Sequence, residues 1–269
     1  MRAKFIAAAV QMVSGTDWRD NLRQASALVA EAVERGASLV LLPEYFCLMG
    51  QHEQDKLALA EAPGQGPLQQ ALAELAARHQ IWLAAGTVPL SCPEPGKVYN
   101  TTFLYDPSGI ERARYDKIHL FGFSGLGESY CEANTIAAGH QPIKVSTELA
   151  EMAFGICYDL RFPELWRQLT PFDLLLLPAA FTATTGQAHW EVLLRARAIE
   201  NQCYVIASAQ GGVHQNGRAT HGHSMIIDPW GRILAELPAG AGVVLAEIDP
   251  NLIQSVRARL PALAHRVLK

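Results

Sequence analysis

The chain has 269 residues, of which 49% are hydrophobic and 18% are charged, and its formal net charge is −4. This length and hydrophobic content suffice for one large domain with a full core, so we predict a single domain over residues 1–269. The weak acidic charge, without a basic patch, argues against a nucleic-acid partner, and no apolar run approaches the ~18 residues that a membrane span requires.

The cysteines stand at positions 47, 92, 131, 157 and 203, an odd number without paired spacing. This pattern favours reduced thiols in a cytoplasmic protein over a disulfide framework. The N-terminal Met1-Arg2-Ala3-Lys4 and the apolar run Phe5–Val10 resemble a weak signal peptide, but the run is short and continues directly into residues 11–13. We therefore predict a first core strand rather than a secretion signal.

The first half of the chain alternates apolar runs with helical periodicity. Apolar residues recur at helical spacing over Asp17–Gly36 and Pro67–His79, and Gly36 lies where a C-terminal cap belongs. The turn signal Asp106-Pro107-Ser108-Gly109 predicts a β-hairpin around it. The predicted strands of this half, including those of the hairpin, are Phe5–Met12, Leu39–Leu42, Ile81–Thr87, Thr101–Tyr105 and Ile110–Arg114.

The second half repeats this order of strand, helix, strand, helix, strand and hairpin. Its hairpin contains a similar turn signal, Asp228-Pro229-Trp230-Gly231. The apolar run Leu174–Leu177 lacks the alternation of a half-exposed strand, which indicates a strand covered on both faces. We therefore predict an α/β fold in which two sheets stack face to face with helices outside. The predicted elements are the strands Met152–Ile156, Asp173–Leu177, Tyr204–Ala209, Ser224–Asp228 and Arg232–Glu236 and the helices Pro163–Leu169 and His189–Asn201.

A cysteine stands at the junction of a predicted strand and a predicted helix. In Ala153-Phe154-Gly155-Ile156-Cys157-Tyr158-Asp159-Leu160-Arg161-Phe162-Pro163-Glu164, the apolar run ends at Cys157 and a tight polar turn follows. A thiol at such a bend is exposed at the carboxyl edge of a sheet, beside helix amide dipoles that favour a thiolate. The backbone N–H of Tyr158 would help to hold an oxyanion. The alternative is that Cys157 is simply a small buried apolar residue.

Polar residues follow other predicted strands as well. Glu44 follows Leu39–Leu42, and Lys117 follows the first hairpin. Since chemistry in α/β proteins gathers at the carboxyl ends of strands, we expect Glu44, Lys117 and Cys157 to meet. A carboxylate, an ammonium and a thiol together can perform acyl transfer. Taken singly, Glu44 is also typical of a cap and Lys117 of a solvated charge.

Three stretches carry a resemblance to a known family. Leu42-Pro43-Glu44, Tyr115-Asp116-Lys117-Ile118-His119-Leu120 and Gly155–Glu164 look like the signatures of the nitrilase superfamily of carbon–nitrogen hydrolases, in the same order and with similar spacing. The resemblance covers nearly the whole chain. It implies a four-layer αββα sandwich of two pseudo-repeated halves, and a catalytic triad of Glu44, Lys117 and Cys157.

Members of this superfamily carry a second glutamate before the nucleophile. Glu132 in Cys131–Gly139 matches that position better than Glu128 does. The resemblance implies that Glu132 orients Lys117 and the substrate amide, and the alternative is that it only solubilises a loop. It lies within Phe121–Gly139, the longest stretch without clear periodicity, which we predict to be an active-site loop.

The stretch Phe181–Asn201 is similar to two branches of the superfamily, deaminated glutathione amidase and omega-amidase. Ala209-Gln210-Gly211 and Gly222-His223-Ser224-Met225 favour the first branch. The resemblance implies hydrolysis of a primary amide of a small 2-oxo acid to a carboxylate and ammonia, with deaminated glutathione preferred over 2-oxoglutaramate. Both branches tend to have Asp where this chain has Gly122, which bears on the substrate loop. Nitrile and carbamoyl substrates stay open on the same triad.

The implied mechanism begins when Glu44 deprotonates Cys157, which attacks the amide carbon to form a thioester that water then hydrolyses. Lys117 and the N–H of Tyr158 would hold the oxyanion. A 2-oxo carboxylate calls for a cation, and Arg161 is a candidate for bidentate binding. An ion pair of Arg161 with Asp159 or Glu164 is the alternative. Further candidates for the substrate pocket are Phe181 and Thr185.

Other classes of function have weaker support. His221 and His223 would face the same side of a strand, but no acidic residue or cysteine lies close in sequence to complete a metal site. A Gly-X-Ser-X-Gly motif and a phosphate loop are both missing. A scaffold without activity is the non-enzyme alternative, and the intact trio of Glu44, Lys117 and Cys157 argues against it. We therefore predict an enzyme without a metal or cofactor.

The resemblance also implies a homodimer. The helices Pro163–Leu169 and His189–Asn201 carry more large apolar residues than one sheet face needs, and the tail Ile253–Lys269 would reach across the dimer. Ordinary core packing is the alternative explanation. The residues concerned are Leu165, Trp166, Trp190, Leu193 and Leu194.

Overall fold

The structure, a computed structural model, describes residues 2–125 and 128–268. Helices α1 to α6 span Trp18–Glu34, Asp55–Ala58, Pro67–His79, Pro163–Leu169, Ala183–Asn201 and Pro250–Arg259. Strands β1 to β15 span Phe5–Gln11, Ala37–Leu41, Trp82–Ala84, Val88–Ser91, Val98–Tyr105, Glu111–Asp116, Gly122–Gly125, Glu128–Cys131, Lys144–Ser146, Glu151–Phe154, Leu174–Ala179, Tyr204–Ala209, Ser224–Ile227, Ile233–Leu237 and Gly242–Ile248.

Two large sheets form the centre of the molecule. The first has seven strands in the order β15-β1-β2-β3-β5-β4, with β6 also paired to β5. The second has six strands in the order β14-β13-β12-β11-β10-β9. In each sheet three parallel strands, β1-β2-β3 or β10-β11-β12, precede a hairpin, β5-β6 or β13-β14. This matches the predicted repeat of strand, helix, strand, helix, strand and hairpin.

The sheets and helices pack as four layers. Leu39 of the first sheet and Leu176 of the second belong to one buried apolar cluster, so the sheets share a core. Helices α1 and α3 cover the other face of the first sheet, where Ala25 and Leu72 join a second cluster. Helices α4 and α5 pack on the second sheet, where their side chains Trp166 and Trp190 belong to the first cluster. The four-layer αββα sandwich that we expected is therefore confirmed.

Several elements differ from the prediction. The predicted strand Ile81–Thr87 is interrupted after Ala84, because Gly86 has φ +52° and a Cβ there would lie 2.4 Å from the carbonyl oxygen of Pro43. Helix α5 begins at Ala183, well before the predicted His189, because the side chain of Thr182 caps it by accepting from the N–H of Thr185.

The predicted loop at residues 121–139 contains the short hairpin β7-β8, while Leu126 and Gly127 lie outside the described residues. Strand β15 was not predicted and pairs antiparallel with β1 at the edge of the first sheet. None of the helices in the described ranges combines the length and the apolar character needed to cross a membrane.

Candidate active site

Strand ends of both sheets meet at one pocket. Glu44 lies just beyond β2, and Cys157 lies just beyond β10 at the start of a short 3-10 turn. Both line this pocket together with Glu132. Lys117, directly after β6, is hydrogen-bonded to both glutamates. The sequence-predicted trio and the second glutamate are thus brought together from separate elements.

Lys117 lies at the centre of a buried ionic network. Its side chain is 0% exposed, and its Nζ is 2.9 Å from Glu44 Oε1 and 2.8 Å from Glu132 Oε2. Burial alone would lower the pKa of Lys117, but the charges of Glu132 and Glu44 outweigh it and raise that pKa above its usual range. Lys117 is therefore an ammonium. An ammonium has three N–H donors, and three carboxylate oxygens lie within 2.9 Å of Nζ, namely Oε1 of Glu44 and both oxygens of Glu132.

Glu44 is held in one orientation by three donors. Besides Lys117, Asn100 donates from Nδ2 to Oε1 at 2.9 Å, and the backbone N–H of Ala180 donates to Oε2 at 2.8 Å. Asn100 lies on β5 and Ala180 directly follows β11, so both sheets fix this carboxylate. The sequence did not predict either residue. Both lie outside the three family signatures, and neither has an ionisable side chain that would mark it as a candidate.

Glu132 is likewise fully hydrogen-bonded. It accepts from the hydroxyl of Tyr45 at 3.0 Å and from the N–H of Phe121 at 2.7 Å. Burial would raise the pKa of Glu132, but the Lys117 ammonium, followed by these donors, lowers it. Glu132 is thus a carboxylate anchored at the base of the 121–139 loop and directed at Lys117.

Cys157 is buried, at 7% exposure, and has φ +49°, a left-handed conformation that a non-glycine residue rarely adopts. Burial first and the neighbouring Glu44 second raise the pKa of the thiol well above its usual range, against the opposing charge of Lys117. The expectation of an exposed thiolate stabilised by helix dipoles was therefore wrong. Burial and Glu44 thus favour the protonated form of the Cys157 thiol, which reacts as a nucleophile only after losing its proton.

Asp159 fixes the turn that carries Cys157. Its buried carboxylate accepts from the N–H of Ile156 at 2.8 Å, from the hydroxyl of Tyr115 at 2.8 Å, and from the N–H of His119 at 3.0 Å. Tyr115 and His119 lie two residues to either side of Lys117. One carboxylate thus ties the turn after β10 to the segment after β6.

The predicted substrate-binding residues Tyr158, Arg161, Phe181 and Thr185 all line the pocket. The guanidinium of Arg161 lies 5.1 Å from the ring centre of Phe181 and 5.6 Å from that of Tyr158. Its Nη1 is 3.2 Å from Nδ1 of His189. Among the described residues Arg161 has no carboxylate within 4.0 Å, so neither Asp159 nor Glu164 forms the alternative ion pair.

The pocket also contains a cation that the sequence did not indicate. Arg218 lines it, in a segment without strand or helix assignment between β12 and β13. Its guanidinium lies 5.0 Å from the ring centre of Tyr130, and its Nη2 is 3.5 Å from the carbonyl oxygen of Ala180. A lone arginine in an aperiodic segment gives no signal in a single sequence.

The histidine pair considered for metal binding lies elsewhere. The rings of His221 and His223 stack with centroids 4.4 Å apart, and His223 pairs with Glu236 of the adjacent strand, an acidic neighbour that sequence proximity did not reveal. Burial and the neighbouring His223 lower the pKa of His221 to about 4. Over residues 2–125 and 128–268, no group of three or more ligand side chains is arranged to hold a metal ion.

The chain is similar to several known proteins. The carbon–nitrogen hydrolase family model matches residues 6–258. Deaminated glutathione amidase of Synechocystis sp. is 47% identical over 269 residues, which cover 98% of each chain. The crystal structure of the C. elegans NitFhit protein has a TM-score of 0.91 and 38% identity, over 99% of this chain and 66% of that chain. Saccharomyces cerevisiae Nit3, a member of branch 10 of the nitrilase superfamily, has a TM-score of 0.86 and 31% identity, over 96% of this chain and 94% of its own.

Proposed function

This chain belongs to the carbon–nitrogen hydrolase family and is an amidase, and from that premise we propose that it cleaves deaminated glutathione through a thioester on Cys157. One observation carries the catalytic assignment. Glu44, Lys117 and Glu132 form a buried hydrogen-bonded network at the pocket that Cys157 lines. We assign Glu44 as base, Cys157 as nucleophile, Lys117 as oxyanion donor and Glu132 as the residue that positions Lys117.

In the first half-reaction Glu44 takes the proton of the Cys157 thiol, and the sulfur attacks the carbonyl carbon of the substrate amide. A C–S bond forms and the carbonyl oxygen becomes an oxyanion. The ammonium of Lys117 and the backbone N–H of Tyr158 stabilise it. As the intermediate collapses, the C–N bond breaks and the leaving amine takes the proton from Glu44.

In the second half-reaction water hydrolyses the thioester. Glu44, again a carboxylate, removes a proton from the water, whose oxygen attacks the thioester carbon. The same donors hold the second oxyanion. The C–S bond then breaks, the sulfur recovers a proton from Glu44, and the acid product leaves. Each turnover therefore returns Glu44 and Cys157 to their starting protonation states.

The proposed substrate rests on the relatives and on the pocket cations. The Synechocystis relative is named deaminated glutathione amidase, and it matches nearly the full length of this chain. Arg161, which has no carboxylate partner among the described residues, lines the pocket beside Phe181. We assign it to the 2-oxo carboxylate of the acyl part, since a guanidinium binds a carboxylate bidentately.

The two candidate substrates differ in the amine that leaves. Deaminated glutathione is glutathione with an oxo group in place of its amino group, so its scissile amide is secondary and cysteinylglycine leaves. Ammonia leaves only from a primary amide, such as that of 2-oxoglutaramate. Both reactions yield 2-oxoglutarate, which is therefore the product to measure, and an ammonia assay alone would miss the first reaction.

The test measures 2-oxoglutarate release from deaminated glutathione and from 2-oxoglutaramate in parallel. We expect a higher kcat/KM for deaminated glutathione, no turnover by Cys157→Ala, and unchanged turnover by the matched control Cys92→Ala, whose thiol lies outside the pocket. Preference for 2-oxoglutaramate would reassign the enzyme to the omega-amidase reaction. Absence of release from both would refute the proposed substrate class.

We further propose that residues 1–269 form a single catalytic domain, that the enzyme is cytoplasmic, and that it is a homodimer. The core shared by both sheets supports the first proposal, and the free state of all five cysteines supports the second. Leu165, Trp166, Trp190 and Leu194 are buried within the chain itself, so they leave no surface for a partner. The exposed side chains Val192 and Ile199 of α5, with Trp230 beside them, support a dimer through this helix instead.

A further inference from the structure

Two arginines line the pocket, and they lie in different surroundings. Arg161 contacts Phe181 and His189, next to α5. Arg218 lies over the ring of Tyr130, in the hairpin β7-β8. Neither has a carboxylate within 4.0 Å among the described residues. The pocket therefore presents two arginines without a salt bridge, although one 2-oxo carboxylate needs only one of them.

Arg218 has an unsatisfied donor. Its Nε is buried and makes no hydrogen bond, and the contact of its Nη2 with the Ala180 carbonyl, at 3.5 Å, is at the limit of a hydrogen bond. A buried charged donor without a partner is costly, and a guanidinium remains charged at all ordinary pH values. Such a group is typical of a site in which a ligand supplies the missing acceptor.

Arg218 also borders a second space. A second cleft is lined by Arg218 together with Tyr45, Glu53, Lys56 and Asn216, among others. Arg218 is the one described residue that lines both this cleft and the pocket of Cys157. We call it the leaving-group cleft. Arg161 does not line it, so the two cations mark different directions away from the nucleophile.

Deaminated glutathione has a carboxylate at each end, with the scissile amide between them. When that amide lies at Cys157, the 2-oxo carboxylate and the glycine carboxylate must point in different directions. Resting on the proposed function, we infer that Arg218 binds the glycine carboxylate of the leaving cysteinylglycine, and that the leaving-group cleft holds this dipeptide. Since 2-oxoglutaramate lacks the dipeptide, Arg218 sets the preference between the two substrates.

The test is a cycle that combines a protein variant with a modified substrate. The modified substrate is deaminated glutathione whose glycine carboxylate is capped as a carboxamide. For wild-type enzyme we expect kcat/KM to be lower for the capped substrate by about 10–100-fold, because a site built for a charged partner discriminates strongly against its loss. Arg218→Gln should have the same kcat/KM for the capped and the uncapped substrate. That value should be close to the kcat/KM of wild-type enzyme for the capped substrate.

Two comparisons complete the design. Arg218→Gln should lower kcat/KM for deaminated glutathione more than for 2-oxoglutaramate, so that the selectivity ratio falls at least about tenfold, whereas Arg161→Gln should lower both alike. Arg78→Gln, on the exposed face of α3, is the control for loss of an arginine. The comparison of capped and uncapped substrate uses only wild-type enzyme. The inference therefore stays falsifiable even when Arg218→Gln does not fold.

Three outcomes would overturn this assignment. The first is wild-type enzyme that cleaves capped and uncapped substrates equally well. The second is an equal loss for both natural substrates in Arg218→Gln, which would mean that Arg218 acts on the shared acyl part. The third is absence of 2-oxoglutarate release from either substrate by wild-type enzyme, which refutes the proposed function and the inference with it. The first two outcomes leave the proposed function intact.

Discussion

At the residue scale, burial sets the state of Cys157 before substrate binds. The thiol lies beside two carboxylates and one ammonium, and its pKa is raised well above the usual range by burial and by Glu44. A thiol in that state is a poor nucleophile, since the thiolate is the reactive form. Glu44, which is oriented by Asn100, Lys117 and Ala180, is the base that we propose for removing this proton.

This arrangement predicts the behaviour of Glu44→Gln. The glutamine cannot take the thiol proton, so kcat should fall by about 10²–10⁴-fold. Residual activity should increase steadily from about pH 7 to about pH 9, because burial still raises the thiol pKa in the variant and deprotonation by solvent then limits the rate. Steady-state kinetics over this range, with Glu74→Gln on the exposed face of α3 as control, tests the prediction. Residual activity that does not change with pH would contradict it.

At the scale of elements, Asp159 joins two segments that are far apart in sequence. It accepts hydrogen bonds from Ile156 in the turn of Cys157, and from Tyr115 and His119 on either side of Lys117. His119 also stacks on Phe162, with ring centroids 3.7 Å apart, so the same two segments pack through aromatic rings. The distance between Cys157 and Lys117 therefore depends on this carboxylate.

We predict that Asp159→Asn impairs both folding stability and catalysis. The amide replaces one acceptor oxygen by a donor, which leaves at least one buried donor unpaired and costs roughly 1–3 kcal/mol of unfolding free energy. A shift of the Cys157 turn away from Lys117 should also lower kcat more than it raises KM. Urea unfolding and steady-state kinetics measure the two effects, and Asp20→Asn on exposed α1 is the control. Wild-type stability together with wild-type kcat would refute the positioning role.

The segment that carries Arg218 is held by a buried histidine. Nδ1 of His214 lies 2.9 Å from the carbonyl oxygen of Ser14, and Nε2 lies 2.8 Å from Oγ1 of Thr220. Because a carbonyl only accepts, Nδ1 carries the proton of the neutral ring. Burial first, with a further contribution from Arg218, lowers the pKa of His214 below its ordinary value of 6.5, although the Ser14 carbonyl opposes the shift.

Because the pKa of His214 is lower in the folded protein than in the unfolded chain, the free energy of unfolding decreases as the pH falls. Below about pH 6.5 the unfolded chain binds a proton that the folded protein binds less readily, so the stability provided by neutral His214 is lost as the pH falls through the folded-state pKa. We predict a smaller loss of stability between about pH 7.5 and about pH 5.5 in His214→Asn than in wild-type. Urea midpoints at the two pH values test this, and equal losses in both proteins would contradict it.

Much of the fold and of the chemistry could be predicted from the sequence, because strong local patterns encode it. Helix α4 and strand β12 have the predicted bounds, and the family and amidase activity expected from the signatures are confirmed. Contacts between residues that are distant in sequence could not be predicted. Asn100, Ala180 and Arg218 converge on the pocket from segments far apart in the chain, and none carries a local signal.

The state of Cys157 could not be predicted for a related reason. A strand–turn–helix pattern indicates where the thiol stands, but its pKa depends on burial and on charges from other elements. The early start of α5 has a similar cause, since a cap between Thr182 and Thr185 outweighs the weak helical periodicity of that segment. Local sequence patterns thus predicted where the candidate site residues stand in the chain. The protonation of Cys157 and the first residue of α5 depend on contacts that only the folded structure shows.

At the scale of the whole molecule, the two halves meet behind the pocket. The side chain of Gln210, after β12, donates to Oγ of Ser14 at 2.8 Å and to the backbone carbonyl of Glu44 at 3.1 Å. It also accepts from the N–H of Ser14 at 3.0 Å. The second sheet thereby fixes the loop of the first sheet that presents Glu44, so that the pocket requires both halves of the repeat.

The outer surface of the second half differs from this well-paired interior. On α5, Val192 is 62% exposed and Ile199 is 49% exposed, and these residues stand seven apart, on one face of the helix. The turn carrying Trp230, 58% exposed, lies against this face, because Arg195 donates to the carbonyl of Gly231 at 2.9 Å. Three large exposed apolar side chains thus lie near one another, with the charged Arg195 between Val192 and Ile199, and they are the basis for the proposed association surface.

We predict that Val192→Glu, alone or with Ile199→Glu, converts the proposed homodimer into a monomer. Each substitution would bury a charge without a partner in the interface, at a cost of several kcal/mol of association free energy, while the folded protomer keeps the residue in solvent. Size-exclusion chromatography with light scattering measures the mass, and circular dichroism checks that the variants fold. Ile110→Glu, which changes an isoleucine that is 53% exposed beside the first hairpin turn, is the matched control and should leave the mass unchanged. Wild-type enzyme that elutes as a monomer would refute the dimer, and variants that stay dimeric would place the interface on another surface.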